Sequence, residues 1–264
     1  MSVVGYGNLG KATAALFGIE NYVDLKGSTT TLERAAHGDV VFVCLPTPTV
    51  DGRCFTQDIE QIVRDLRGYG DALIVLRSTV IPGTADRLMD KYEAQIVSNP
   101  AFGVEARLAE DEKWPDMVVL GGRDEDALEM MEGLYYRNAL ELRWERYNSL
   151  ADIISPFVIT DNITAEMIKY ALNTLFTTKV VFANEIARLC HSIGVEYDVV
   201  RDALYLSQRV GHDHLDAHGR CGGACLPKDL EAFTRWHGSE LLSKVRDLND
   251  RLPEYVSYRV GERE

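Results

Sequence analysis

Short β-branched runs recur through the first half of the chain, each closed by a turn rich in Gly, Pro or Thr: Ser2 to Val4, Val40 to Leu45, Leu73 to Leu76, Ile96 to Ser98 and Met117 to Leu120. Amphipathic stretches lie between them, and this rhythm predicts an α/β fold, a doubly wound parallel sheet with helices on both faces. From about Thr160 the apolar spacing changes to three and four, through Ile168, Ala171, Leu172, Leu175, Phe176, Phe182, Ala183 and Ile186. That period predicts one long helix, capped by Thr160 or Asp161 and stopped near Gly194. Further helices are predicted over Tyr197 to Leu206, Leu226 to Trp236 and Glu240 to Tyr258, after an irregular Gly- and His-rich segment from Ser207 to Gly223. The expected division is a sheet domain over residues 1–159 and an all-helical domain over residues 160–264.

In an open parallel sheet, ligands sit beyond the carboxyl ends of the strands. The turns "GYGNLG", "LPTPTVDG", "RSTVIPGT" and "SNPAFG" are therefore expected to face one cleft. The first of these, Gly5 to Gly10, follows a strand and opens a helical run, the context of a Rossmann-like dinucleotide turn. Gly5 permits the tight turn, Gly7 lets backbone approach a pyrophosphate, and Gly10 allows close helix packing, while free N–H groups at the helix start bind the anion. Asp24 ends "YVD", where a carboxylate accepts from a ribose hydroxyl and repels a 2′-phosphate, which favours NAD over NADP; the neighbouring Lys26 works against that preference. Asp24 lies only 19 positions after Gly5, so the first helix must be short. A Gly turn of purely structural purpose is the alternative.

Charge narrows the partners. With 28 Lys and Arg against 41 Asp and Glu, the 264-residue chain carries −13, which disfavours nucleic acid and anionic membranes. No apolar stretch approaches the ~20 residues of a bilayer span, and with neither a charged n-region nor an apolar h-region in "MSVVGYG", no export is expected. Five cysteines at uneven spacing suit a reducing compartment better than a disulfide framework, so a cytoplasmic location is expected.

Candidate chemistry concentrates in "CGGACLPKDL". Pro227 suits the start of a helix, placing Cys225 just before a helix N-terminus with Lys228 nearby; dipole and cation both favour a thiolate nucleophile. Gly222 and Gly223 leave room for substrate, and Asp229 could orient a water or a base. The alternative is a small buried cysteine before an ordinary helix start. On the long helix, Glu166, Lys169, Asn173 and Thr177 form a polar stripe in which Lys169 and Asn173 could hold an oxyanion; a solvated face with a Glu-Lys pair is the other explanation. His212, His214, His218, Cys221 and Cys225 crowd together, but their spacing matches no paired metal-ligand motif, and no metal is expected.

Taken in order, "GYGNLG", "CLPTPTVDG", "RSTVIPGT", "SNPAFGVE", "TAEMIKYALNTL", "FANEIARLC", "RVG" and "GGACLPKD" resemble the nucleotide-sugar dehydrogenases, the family of UDP-glucose 6-dehydrogenase and GDP-mannose dehydrogenase. The resemblance implies NAD-dependent oxidation of a sugar C6 alcohol to the uronate through a cysteine thiohemiacetal and thioester. It implies Cys225 as nucleophile, Lys169 and Asn173 as stabilisers of the negative oxygen, Asp229 and Thr79 in water and proton transfer, and Glu105 in support. Cofactor contacts would come from Gly5, Tyr6, Gly7, Asn8, Leu9, Gly10, Asp24, Pro46, Thr47, Ser78 and Thr79; substrate contacts from Phe102, Lys169, Asn173, Gly222 and Arg209, the last across a dimer interface.

This sequence departs from the family pattern at three points. Ala101 stands where the family has a glutamate tied to thioester hydrolysis, and Cys221 replaces an aromatic before the two glycines, where it could reshape the pocket or pair with Cys225. The chain is also expected to lack the family's third, nucleotide-binding domain, so that a second chain could supply it. A homodimer through the long helix is expected. The alternatives are a two-electron hydroxyacid dehydrogenase and a non-catalytic NAD-binding dimer.

Overall fold

Uninterrupted Val, Ile, Leu and Phe runs become strands covered on both faces: Val40, Val41, Phe42 and Val43 are each no more than 1% exposed. The computed structural model describes residues 1–143, 156–223 and 225–258. Two units are distinguished, Met1–Pro48 with Phe55–Lys169, and Thr49–Cys54 with Tyr170–Glu264.

The first unit holds a sheet built from β1 (Ser2–Val4), β2 (Tyr22–Val23), β3 (Val40–Val43), β6 (Leu73–Leu76), β7 (Ile96–Ser98), β8 (Val118–Gly121) and β9 (Phe157–Thr160). Their order is β2-β1-β3-β6-β7-β8-β9. The sheet is the expected Rossmann-like one, with α1 (Asn8–Phe17), α2 (Leu32–Ala36), α3 (Gln57–Tyr69), α4 (Thr84–Tyr92), α5 (Leu108–Lys113) and α6 (Glu125–Arg143) following its strands. One pairing corrects the all-parallel expectation: β7 and β8 run antiparallel through Ser98 and Gly121. The strand expected over Val40 to Leu45 stops at Val43, and that expected over Met117 to Leu120 runs one residue later. The short β2 and the edge strand β9 carry too few alternating residues to stand out in sequence.

Two apolar layers cover the sheet. Val3, Phe17, Phe42, Val75, Leu120 and Met131 belong to one; Val41, Val43, Ile59, Val63, Leu76 and Leu88 belong to the other. Alternate residues of one strand thus feed opposite layers. The first helix is short, as the Gly5 to Asp24 spacing requires, because Gly18 ends it in the left-handed conformation at φ 61°.

Among the described residues, the regular structure of the second unit is helical apart from a hairpin. The long helix α7 (Asn162–Ser192) begins in the first unit and supplies Tyr170 onward to the second. Asp161 caps its start, accepting from the Thr164 N–H at 2.7 Å. Then come α8 (Tyr197–Tyr205), α9 (Leu226–His237) and α10 (Glu240–Arg251). The helix expected to reach Tyr258 ends at Arg251, where Pro253 approaches. The hairpin of β4 (Thr49–Val50) and β5 (Arg53–Cys54) turns on Asp51 and Gly52, both at positive φ. That is the chemistry of a two-residue hairpin loop. It packs on α9, where the Thr49 hydroxyl donates to the Lys228 carbonyl at 2.8 Å.

Candidate active site

The turn after β1 has the shape of an anion cradle. Gly5 adopts φ +88°, and a Cβ on Gly10 would lie 1.9 Å from the Gly5 carbonyl oxygen, so a side chain at either position is excluded. A Cβ on Gly7 would meet nothing within 4 Å, which leaves its backbone open to approach. Helix α1 starts at Asn8 with no side-chain cap and no acidic residue in its first turn. Its leading N–H groups and dipole suit the pyrophosphate of a dinucleotide.

Asp24 stands beside this turn, its carboxylate accepting from the Tyr6 N–H at 2.7 Å and the Lys26 N–H at 2.9 Å. These backbone bonds, Lys26 first, hold it below the usual carboxylate range, so it is ionised and aimed. Lys26 therefore acts on Asp24 through its backbone as well as its charge. The Tyr6 ring stacks on Tyr22 at 3.8 Å, and Leu9 packs against the adjoining core. Asn8 donates to Glu105 at 2.9 Å, which places Glu105 beside the cofactor turn.

The turns after β3 and β6 are tied together. Thr47 donates its hydroxyl to the Thr79 carbonyl at 2.7 Å, and Ser78 donates to the Leu45 carbonyl at 2.7 Å. Thr47 and Ser78 are buried and Pro46 is exposed, so the two hydroxyls shape the turns. Ser78, Thr79, Pro100, Glu166 and Lys169 line one small cavity. Lys169 lies over the Phe102 ring, its ammonium 5.3 Å from the centroid. Ala101, in the same turn, is partly exposed and brings no carboxylate.

The polar stripe of the long helix is not a solvated face. Glu166, Asn173 and Thr177 are at most 3% exposed. The Glu166 carboxylate accepts from the Gly83 N–H at 2.6 Å and the Ala85 N–H at 2.9 Å, closing the start of α4. Burial nevertheless pushes its carboxyl up to about 7.

In the second unit, Cys225 is exposed at the position preceding α9, with Pro227 in that helix's first turn. Asp229, 1% exposed, donates its backbone N–H to the Cys225 carbonyl at 3.0 Å. Its carboxylate accepts from the Asn173 amide at 2.7 Å and from the Lys228 ammonium at 2.5 Å. Lys228 is thus engaged by Asp229. Cys221 is buried with its sulfur 3.9 Å from the Thr177 hydroxyl, pointing into the helical core. Gly222 and Gly223 are exposed, and a Cβ on Gly222 would meet nothing within 4 Å. Arg209 is exposed in the turn before Gly211.

The His-rich segment is absorbed by stacking, His214 on Phe176 and His218 on Tyr255. Among the described residues no group of three His, Cys, Asp or Glu could hold a metal. Among those residues, too, no helix is long and apolar enough to cross a membrane. Sequence reasoning missed the capping role of Glu166, the Lys169 to Phe102 contact and the pairing of Asn173 with Asp229. Only the helical spacing of Glu166, Lys169 and Asn173 hinted at any of these.

Comparison with known proteins adds independent observations. The NAD binding domain model of the UDP-glucose/GDP-mannose dehydrogenase family matches residues 14–139, and the central domain model of the same family matches residues 163–251. A UDP-glucose 6-dehydrogenase of Rickettsia bellii is 30% identical over 252 residues, covering 90% of this chain and 55% of that protein. One of Rhizobium meliloti is 33% identical over 211 residues, covering 76% and 46%. A solved UDP-glucose dehydrogenase from the archaeon Pyrobaculum islandicum superimposes with a TM-score of 0.80 at 27% identity, covering 94% of this chain and 67% of that one. The chain spans about half the length of the curated relatives it matches.

Proposed function

Since the chain belongs to the UDP-glucose/GDP-mannose dehydrogenase family, we propose that it oxidises the C6 alcohol of a UDP-glucose-like nucleotide sugar to the uronate with Cys225 as covalent nucleophile. The observation that carries this reading is an exposed cysteine leading into a helix whose first turn holds the buried Asp229, clasped by Asn173 and Lys228. Bound NAD would accept a hydride in each of two oxidations. Gly5, Gly7, Gly10 and the first N–H groups of α1 would hold its pyrophosphate, and Asp24 its ribose. Residues 1–159 then serve as the NAD-binding domain and 160–264 as the domain carrying the nucleophile.

The sulfur of Cys225 adds to the aldehyde carbon left by the first oxidation, and the thiol proton ends on the former carbonyl oxygen. Lys169 and Asn173 stabilise that oxygen while it bears negative charge. The second oxidation leaves a thioester. Water attacks it, a proton returns to sulfur, and the carboxylate departs; Asp229 and Thr79 steer that water and proton. Glu105 supports the site, Phe102 and Gly222 shape its sugar side, and Arg209 reaches the sugar of a second copy.

Leu175, Phe182 and Leu189 lie seven apart on the long helix and are 52%, 50% and 44% exposed. An apolar row at this spacing supports a homodimer through the helix. The decisive experiment incubates the protein with NAD and, separately, UDP-glucose, UDP-N-acetylhexosamines and GDP-mannose. Two NADH per uronate, with Cys225→Ser halted before the thioester, is the expected result. No reduction with any sugar, together with iodoacetamide labelling of Cys225 no faster than of buried Cys190, would end the proposal.

A further inference from the structure

The segment His218 to Cys221 has no regular secondary structure, yet each of its four residues has at least one backbone group bonded, and Gly219 and Cys221 have both. The even positions bond to the chain beyond α10: the Val256 N–H donates to the His218 carbonyl at 3.0 Å, and the Arg220 N–H donates to the Pro253 carbonyl at 2.8 Å. The odd positions bond to side chains. Asn184 accepts from the Gly219 N–H at 2.9 Å and donates back to the Gly219 carbonyl at 2.8 Å. Asn249 accepts from the Cys221 N–H at 2.7 Å and donates to the Cys221 carbonyl at 3.3 Å. Each amide presents an acceptor and a donor side by side, as a neighbouring strand would.

Both asparagines are buried, at 1% and 3% exposure. The amide nitrogen of Asn184 also donates to the Val180 carbonyl at 2.9 Å, one turn back on its own helix, which fixes its direction. The chain between the clamps is committed as well: Gly219 sits at φ +115°, and a Cβ there would lie 2.6 Å from the Pro253 carbonyl oxygen. The clamping ends at Cys221. Gly222 and Gly223 follow, exposed and open, and Cys225 comes two residues after Gly223.

We infer that Asn184 and Asn249 are positioning residues that hold the backbone leading to Cys225 as a false strand, so that the glycine pair and the sulfur start from a fixed point. The inference rests on the nucleophilic role proposed for Cys225. Asparagine is required because leucine of similar size offers neither group, and aspartate keeps the acceptor but sets an anion against a carbonyl oxygen. Asp229 and Asn173 fix the chain on the far side of the sulfur; the two clamps fix the near side.

The test begins with the unaltered protein. Hydrogen exchange of single amides, followed by NMR, should show Gly219 and Cys221 protected at least roughly tenfold over Gly222 and Gly223, the effect of one buried hydrogen bond. Equal exchange at all four overturns the clamp whether or not any variant folds. Asn249→Ala, melting cooperatively, should then lose that protection, alter the iodoacetamide rate at Cys225, and lower kcat about tenfold with KM within about twofold; Asn249→Asp should fall between. A folded Asn249→Ala with unchanged labelling and kcat also overturns it. Unaltered turnover in Cys225→Ser would instead sink the nucleophile reading while leaving the exchange pattern standing.

Discussion

Asn173 donates its side-chain amide to Asp229 at 2.7 Å, and both residues are buried. The bond joins the long helix to α9, the helix entered through Cys225. A buried carboxylate with an amide and an ammonium for partners is satisfied and directed, which suits the water-steering role proposed for Asp229. Asp229→Asn keeps the volume, removes the charge that holds Lys228, and should lower uronate formation by roughly two orders of magnitude. The fold should survive, with a melting shift of a few degrees. Parallel NADH traces and thermal melts check both halves.

At the cofactor turn the forecast is steric. Gly10→Ala would drive a methyl to within 1.9 Å of the Gly5 carbonyl oxygen, and that atom is backbone, which cannot step aside. Gly7→Ala meets nothing within 4 Å in the protein itself. Gly10→Ala should therefore cost about 1–3 kcal/mol of stability and weaken NAD binding. Gly7→Ala should leave the melt unchanged and weaken NAD alone. Calorimetric titration with NAD alongside melting separates the two.

Much of this organisation was legible because it depends on local chemistry. The β-branched runs, the spacing of Gly5, Gly7 and Gly10, the short span from Gly5 to Asp24, and Pro227 after Cys225 each constrain backbone locally. What escaped depends on pairing across distance. Glu166 reads as a surface partner for Lys169 until the start of α4 is brought to it, and Leu175 and Phe182 look like core until Asn173, Thr177 and Ala183 take the buried side of the helix. Asn184 and Asn249 are unremarkable polar residues in an amphipathic pattern; only the fold brings the backbone of Gly219 and Cys221 to them.

The exposed row on the long helix gives a solution prediction. Leu175, Phe182 and Leu189 repeat every seven residues, so a second copy of the helix can cover them along one seam. Sedimentation should show a dimer. Phe182→Asp should shift it toward monomer at micromolar concentration with little loss of helical signal. A wild-type monomer across the accessible concentration range would contradict the dimer.

Inside the sheet unit, Arg77 is 2% exposed and ion-paired to Glu112 at 2.5 Å, with Asn99 and Tyr135 accepting from the same guanidinium. Its Nε finds no hydrogen-bond partner among the described residues. Glu112→Ala removes the carboxylate bonded to the buried Arg77 guanidinium, a change that typically costs about 3–5 kcal/mol. The network ends at Asn99, beside the Pro100 to Phe102 turn, so weaker NAD-dependent turnover should accompany the lower denaturation midpoint.

Glu166 makes stability depend on pH in an unusual direction. Burial raises its carboxyl from 4.5 to about 7, against the opposing pull of the Ala85 and Gly83 N–H groups, while Asp86 on α4 adds like charge and Lys169 lies one turn away on its own helix. Between those two values the native protein holds a proton that the unfolded chain has released. This contribution is therefore full below about pH 4.5 and is lost as pH rises through about 7, by at most about 3 kcal/mol. Glu166→Gln cannot ionise and should flatten that stretch of the curve, though it loses one of the two N–H bonds and starts from lower stability. Urea unfolding of both proteins at half-unit steps from pH 5 to pH 8 measures the slope. Parallel curves would show that Glu166 stays charged throughout, held by the start of α4.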